Sequence, residues 1–387
     1  MKILFVSDSY YPHINGVYYF VCRIGPMLQA AGHEVAVIAP SVSMSSTLTK
    51  VDGLDVYGMP SMPVIFYPTI RIPVPFKLRS RLRKIIKDFK PDIIHLQDHF
   101  PISKAVVNVN SKLKIPIVGT NHMMPENFTV FLRREYLKRK VENFVWKGFS
   151  KVYNHLLVVT TPTETGVRIM RPHLTVDTMA ISSGIDLDHF NPAGDTRPIQ
   201  EKYAIPDKPV LLYAGRLDPE KHIEEILEAV AVTLKKIDFS FVIVGKGTSK
   251  TSLEQRSLQL GIEDHVIFTG FVPDEDLPFF YKLGRCFIIA SIAELLSLAT
   301  LQAMASGMPI IAVDAGALPE LVEDQANGYL YKEGDIQAMV RSIEQIITND
   351  TLYQAMRKKS LEIVQRHDIK KTLEAFEKLY QLHSGKD

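Results

Sequence analysis

SGIDLDHFNPAGDTRPIQEKYAIPDKPVLLYAG, residues 183–215, runs from a turn-rich passage into an apolar strand. Proline, glycine and aspartate crowd residues 184–209 and interrupt any helical or strand period, and a new apolar run opens at Val210. On either side lie short runs rich in Val, Ile and Leu. KILFVS, EVAVIAP, DIIHLQ, IPIVGTN and LLVVTT come before the break; VLLYAG, FSFVIVG, HVIFTG, CFIIAS and PIIAVDA come after it. Amphipathic stretches such as 17–31 and 221–234 separate them. Continuous apolar strands alternating with helices predict parallel sheets covered on both faces. The interruption therefore divides two doubly wound α/β domains. The expected boundaries are 1–185 for the first, 186–208 for a linker and 209–367 for the second, with a helix over 368–387 packing back on the first. A chain of 387 residues exceeds the size at which one core stops growing. Ligands of such sheets sit beyond the carboxyl ends of the strands, which makes the cleft between the domains the expected site.

Composition narrows the class. Hydrophobic residues make up 46% and charged residues 23%, the balance of a globular chain with large cores. Cys22 and Cys286 are far apart in sequence and sit in or beside apolar runs, which fits a reducing compartment better than a disulfide framework. No apolar run approaches the roughly 18 to 20 residues of a membrane span, and MKILFVSDS lacks the flanks of a signal peptide. A cytoplasmic protein is expected. The net charge of +2 conceals an asymmetry: residues 1–185 hold 23 Lys and Arg against 12 Asp and Glu, and the remainder 22 against 31. Much of the excess lies in PFKLRSRLRKIIKDFKP (75–91) and FLRREYLKRKVENFVWKGFSK (131–151), each with seven cations. Basic helices interleaved with Phe, Leu, Ile and Trp146 suit an anionic membrane surface, or serve as a solvated face over an ordinary core stripe. No nucleic-acid module accompanies them.

Each domain opens with a turn suited to phosphate. Asn15 and Gly16 follow the first strand and precede a helix, where a backbone N–H can approach an anion. After VLLYAG, Arg216 and Lys221 flank the next helix start, two cations placed for a diphosphate. Read singly, Gly16 is also consistent with a plain tight turn and the two cations with a solvated surface. DLD at 186–188 imitates a metal-binding pair but falls in the linker, so no metal or other cofactor is expected.

YAGRLDPEK, FVIVGKG, VIFTGFVPDEDLPFFY and AELLSLATLQAMASGMPIIAVDAGALPELVEDQANGYLY, in that order, resemble the retaining family 4 glycosyltransferases of the GT-B architecture. The resemblance covers nearly the whole chain. It implies two Rossmann-like domains, a nucleotide-sugar donor held mainly by the second, and a hydroxyl acceptor held mainly by the first. Arg216 and Lys221 look like the family's diphosphate pair, although His222 follows Lys221 where the family usually has glycine. Gly16 matches the second glycine of the donor-side loop, with Asn15 in place of the first. Gly245 lies in the glycine-bearing strand end, and Val272 matches the backbone position that reads the nucleobase. Glu294 matches the first acid of the E-x7-E pattern, and Gln302 occupies the place of the second, which grips ribose. After the first acid the family usually reads GFG; here Leu295, Leu296 and Ser297 stand there, resembling a branch that reads E-L-Q-S, from which Leu296 departs, and the resemblance puts Ser297 and Leu298 at the donor. A Gln accepts through its amide oxygen without the strength of a charged acceptor. His122, in TNHMMPENF, falls at the position of a histidine beside the transferred sugar. Asn121 and Glu126 share its loop, and His99 or Asp98 lies within reach of an acceptor, whereas His95 reads as packed.

The expected catalytic set is thus His122, Glu294, Arg216 and Lys221. The expected reaction moves a hexose from a nucleotide sugar, with UDP favoured, to a hydroxyl acceptor, with a membrane glycerolipid as the specific expectation at the inner face of the membrane. A nucleotide-sugar 2-epimerase and a nucleotide-sugar-binding protein without turnover are the alternatives.

Overall fold

Apolar runs of four to seven residues, almost all buried along their length, form the central strands. The computed structural model describes residues 1–13, 15–64, 67–123 and 134–385. They divide into two units, Met1–Ser183 with Lys370–Asp387, and Gly184–Ile369.

The first unit begins with β1 (Lys2–Val6), α1 (Gly16–Ala30), β2 (Glu34–Pro40), β3 (Thr47–Val51), β4 (Leu54–Met59), β5 (Ser61–Val64) and β6 (Tyr67–Pro73). It continues with α2 (Leu78–Phe89), β7 (Ile93–Leu96), α3 (Pro101–Leu113), β8 (Ile117–Thr120), α4 (Glu135–Tyr153), β9 (Val158–Thr161), α5 (Glu164–Met170) and β10 (Asp177–Ala180). In the second unit come α6 (Arg197–Lys202), β11 (Val210–Ala214), α7 (Ile223–Thr233), β12 (Ser240–Val244), α8 (Lys250–Leu260), β13 (Val266–Gly270) and α9 (Leu277–Leu283). Then follow β14 (Cys286–Ile289), α10 (Leu298–Ala305), β15 (Ile310–Val313), β16 (Gly328–Tyr331), α11 (Ile336–Thr348), α12 (Asp350–Val364) and α13 (Ile369–Ser384).

The first sheet has eight strands in the order β10-β9-β8-β7-β1-β2-β4-β3, and the second six in the order β13-β12-β11-β14-β15-β16. Within these two sheets the strands pair in parallel except β3, which runs antiparallel against β4, and β5 and β6 form a separate antiparallel pair. In both sheets the order reverses beside the first strand, between β1 and β7 and between β11 and β14, the crevice where doubly wound folds take their ligands.

Alternation along a strand sends successive side chains to opposite faces. Leu4 and Val6 join one layer with Leu82 of α2 and Val106 of α3, while Ile3 and Phe5 join the other with Phe20 of α1 and Phe376 and Tyr380 of α13. Tyr380 also meets His95 Nδ1 at 2.7 Å, and His95 Nε2 meets Thr120 Oγ1 at 2.7 Å, so His95 is a packed, hydrogen-bonded core residue. In α2, Leu78, Leu82, Ile86 and Phe89 are buried at spacings of four, four and three, which turns Arg79, Arg83 and Lys87 outward.

Two details differ from the sequence reading. Residues 186–208, expected as a linker, belong to the second unit: Phe190, Ile199 and Ile205 are buried in its core, and Leu187 and Tyr203 pack against it. Trp146 is half-buried rather than fully presented to a surface. Its indole stacks on His173 at 4.0 Å, nearly parallel, and packs against Phe149.

Candidate active site

In the second unit the key side chains come from the carboxyl ends of β11 and β14, neighbours at the strand-order reversal. Lys221 ends a short 3-10 turn, Pro219–Lys221, ahead of α7. Its Nζ donates to Glu294 Oε1 at 2.7 Å and to Ser291 Oγ at 3.3 Å. Both members of the ion pair are mostly shielded, at 17% and 16% exposure, where an ion pair is stronger than at an open surface. The Glu294 loop is held by its own backbone: its carbonyl accepts from Ala317 N at 2.9 Å. That approach needs Gly316, with φ of +57°, because a Cβ there would lie 2.8 Å from the Glu294 oxygen. Ser297 then caps α10 by accepting from Thr300 N, and Leu298 is the first helical residue. Gln302 lies just over a turn into that helix, and Tyr281 Oη donates to its Oε1 at 2.8 Å.

Arg216 has carboxylate partners different from that of Lys221. It pairs with Asp218 and, at 2.7 Å, with Glu220, and its side chain is 66% exposed. His222 adopts a left-handed backbone, φ of +50°, a conformation open to glycine without steric cost. Gly245 is required by packing, since a Cβ would come within 1.9 Å of the Gly215 carbonyl oxygen. The side chain of Val272 is buried, and its backbone N–H and carbonyl take no hydrogen bond among the described residues.

In the first unit Asn15 caps α1: its Oδ1 accepts from Tyr18 N at 3.1 Å, and its Nδ2 donates to Ser9 Oγ at 2.6 Å. Gly16 opens the helix with nothing within 4 Å of where a Cβ would sit. Beyond β8, Asn121 folds its amide onto the backbone of Met123 and is itself buried. His122 Nε2 donates to Gln97 Oε1 at 2.9 Å, which leaves Nδ1 as the ring's acceptor. Burial lowers the His122 pKa to about 4, so the ring is neutral at physiological pH. The Nε2 of Gln97 is buried with no partner among the described residues. Asp98 is likewise buried, accepting from Ser7 Oγ, Asp8 N, Phe100 N and Ser103 Oγ, so it fastens β1 to α3 and is closed to an acceptor. Asp8, which accepts from Ile102 N and Ser103 N, is raised well above the usual carboxylate range by burial and by Asp98. His99 packs against Phe100, Phe149 and Tyr153, and its Nδ1 is buried without a partner among the described residues. Glu126 lies outside the described residues.

Several contributors escaped the sequence reading. Ser291 stood in a strand end whose polar atom had no local signal; Tyr281 lies 21 residues from Gln302; Gln97 closes the run DIIHLQ just past its strand. Gly316 alone had a signal, the DAG turn after a strand. Among the described residues, no three His, Cys, Asp or Glu side chains gather as metal ligands, and no helix is long and apolar enough to cross a membrane.

Comparison with known proteins places the chain. Residues 195–362 match the family described as "Glycosyl transferases group 1", and residues 14–189 match "Glycosyltransferase Family 4". An alpha-monoglucosyldiacylglycerol synthase of Streptococcus pneumoniae is 27% identical over 86% of this chain and 75% of its own length. A GDP-mannose-dependent alpha-mannosyltransferase of Corynebacterium glutamicum is 26% identical over 92% and 83%. Among solved structures, Anabaena HepE in complex with UDP and glucose superposes with a TM-score of 0.77 at 18% identity, covering 98% of this chain and 99% of that one. With its two reversed-order parallel sheets, the chain belongs to the family 4 glycosyltransferases, the group 1 hexosyltransferases of GT-B architecture.

Proposed function

We propose that the protein moves a hexose from a UDP-sugar to a hydroxyl of a membrane glycerolipid, with retention at the anomeric carbon and without a metal, as a peripheral enzyme of the cytoplasmic membrane face. The observation that carries the donor half is the shielded Lys221–Glu294 pair with Ser291 at the reversal of the second sheet. A diphosphate arriving there competes with Glu294 for the Lys221 ammonium, which then stabilises the charge that grows on the leaving phosphate. Glu294, released, accepts from hydroxyls of the sugar. Arg216, exposed and paired among the described residues with acids of its own turn, exchanges them for the phosphates. Gln302 and the unpaired backbone of Val272 serve the ribose and the base. The UDP preference draws on the neighbour solved with UDP and glucose, and the lipid acceptor on the relative from Streptococcus pneumoniae and the basic helices α2 and α4.

In the reaction the bond from the anomeric carbon to the phosphate oxygen breaks as the acceptor oxygen bonds to the same face of that carbon. The acceptor's proton passes to the departing phosphate, so no protein base is consumed. Neutral His122 offers Nδ1 to a hydroxyl and holds it in place. The test is nucleotide release from UDP-glucose, UDP-galactose and GDP-mannose, each with and without diacylglycerol in micelles. Acceptor-dependent UDP release with an α-linked product supports the proposal. Release at one slow rate whatever acceptor is present overturns it, and turnover of GDP-mannose alone replaces the donor.

A further inference from the structure

Where the family pattern has its second acid this chain has an amide, and the surroundings of that amide decide which end of it a ligand meets. Tyr281, on α9, is 1% exposed and packs its ring against Phe190 and Phe287. Its Oη lies 2.8 Å from Gln302 Oε1. Burial pushes the phenol far above its ordinary pKa, so it keeps its proton at any working pH. A buried O–H needs an acceptor, and Gln302 Oε1 is the one it has among the described residues. Turned the other way, the amide would face Oη with Nε2 and strand that hydrogen. The oxygen is therefore held inward.

The nitrogen is left over. Gln302 is half-buried, and its Nε2 takes no partner among the described residues and is not enclosed. The backbone beneath it is fixed, because Ser297 caps the start of α10 by accepting from Thr300 N. What this position offers a ligand is thus a pair of N–H donors and no free acceptor.

We propose that Tyr281 makes the Gln302 subsite a hydrogen-bond donor, so that the nucleotide sugar is gripped there through the lone pairs of a ribose oxygen, whether or not that oxygen carries a hydrogen. The inference rests on the reading that Gln302 serves the ribose. A carboxylate at this place works in the opposite sense: it accepts from an O–H and is repelled by an oxygen that has none. Gln302 is the residue that discriminates, and Tyr281 is a positioning residue that acts through it. The nucleotides admitted widen to ribose ethers, which an acid would reject.

Calorimetry of the full chain with UDP, its 2′-deoxy and 3′-deoxy forms and its 2′-O-methyl and 3′-O-methyl ethers tests this on the wild type, Gln302→Glu, Gln302→Ala and Tyr281→Phe. One deoxy nucleotide should bind the wild type about fivefold more weakly than UDP, the loss of one hydrogen bond, and it identifies the oxygen that is gripped. The readout is then the affinity of the ether at that oxygen relative to UDP, because crowding by the methyl group is common to all the proteins and cancels between them. That ratio should be at least about fivefold lower in Gln302→Glu than in the wild type. It should fall about twofold or more in Tyr281→Phe, whose released amide can turn its oxygen to a hydroxyl. Loss of packing alone would weaken UDP and the ether together and leave the ratio unmoved. Thermal melting reports folding, and Gln302→Glu decides the matter if Tyr281→Phe melts early. Gln302→Ala weakened toward UDP, with equal ratios in the wild type and Gln302→Glu or with an unmoved ratio in a stable Tyr281→Phe, overturns the proposal while the ribose reading stands. Gln302→Ala binding UDP as tightly as the wild type, or both deoxy nucleotides binding as UDP does, overturns the ribose reading and the proposal with it.

Discussion

At the scale of single residues the second unit turns on Lys221, Glu294 and Gln302. Glu294 is paired and partly shielded but belongs to a loop, so its side chain adds little to the buried core. Glu294→Ala should lower kcat/KM about a hundredfold, the size of losing one charge-stabilising contact, while the melting temperature moves far less; a comparable loss of stability would mark the residue as structural. Gln302 presents an amide whose oxygen is already engaged by Tyr281, which leaves its N–H donors for a ligand. A carboxylate there would accept from Tyr281 with one oxygen and from ribose with the other. Gln302→Glu should therefore tighten nucleotide-sugar binding by roughly tenfold, the gain of a charge-assisted bond, as read by calorimetry; unchanged affinity would remove Gln302 from the ribose. His222 is a backbone matter. In the left-handed region a non-glycine residue costs about 1 to 2 kcal/mol, partly offset by glycine's greater unfolded freedom. His222→Gly should raise unfolding free energy by about 0.5 kcal/mol in urea titration.

Elements place these residues. The carboxyl ends of parallel strands expose turn residues because the chain must leave the sheet there to enter a helix. The loops are set by close backbone approaches, Gly316 against Glu294 and Gly245 against Gly215, and by caps. Asn15 is the cap with most consequence, since its amide both closes the start of α1 and ties the β1 turn through Ser9. Asn15→Ala should cost about 1 kcal/mol, the usual worth of a lost cap, and its effect should appear as a lower denaturation midpoint of the first unit by hydrogen exchange. No change in the protection of α1 would show that the cap is dispensable.

At the scale of the whole molecule, each unit carries a buried histidine held neutral. Burial lowers His122 in the first unit and His367 in the second to about 4. In the unfolded chain histidines titrate near about 6.5. Between those values the unfolded chain binds protons that the folded chain does not, so the stabilisation is complete above about 6.5 and is lost as pH falls toward about 4. Chemical denaturation at about pH 7.5 and about pH 5 should show a lower midpoint at the acid value, and His122→Gln should lessen that difference for the first unit, where burial also lowers His95 and keeps part of it. Equal midpoints would mean that neither ring is shielded from protons. The same neutrality predicts that turnover does not titrate with His122 between about pH 6 and 8.

The sequence by itself determined the two doubly wound sheets, because strand and helix periods and the crowding of Pro, Gly and Asp at 184–209 are local and cumulative. It also marked Lys221 by its place at a helix start, and the resemblance to the family 4 glycosyltransferases marked Glu294 and His122. Tertiary structure decided which polar groups meet. Lys221 pairs with Glu294 while Arg216 pairs with Asp218 and Glu220, Tyr281 engages Gln302 from another helix, Gln97 orients His122 from the end of a neighbouring strand, and residues read as a linker pack into the second core. Each of these depends on strand order and register. Distances of that kind arise only when segments remote in sequence are laid side by side, and no local pattern encodes them.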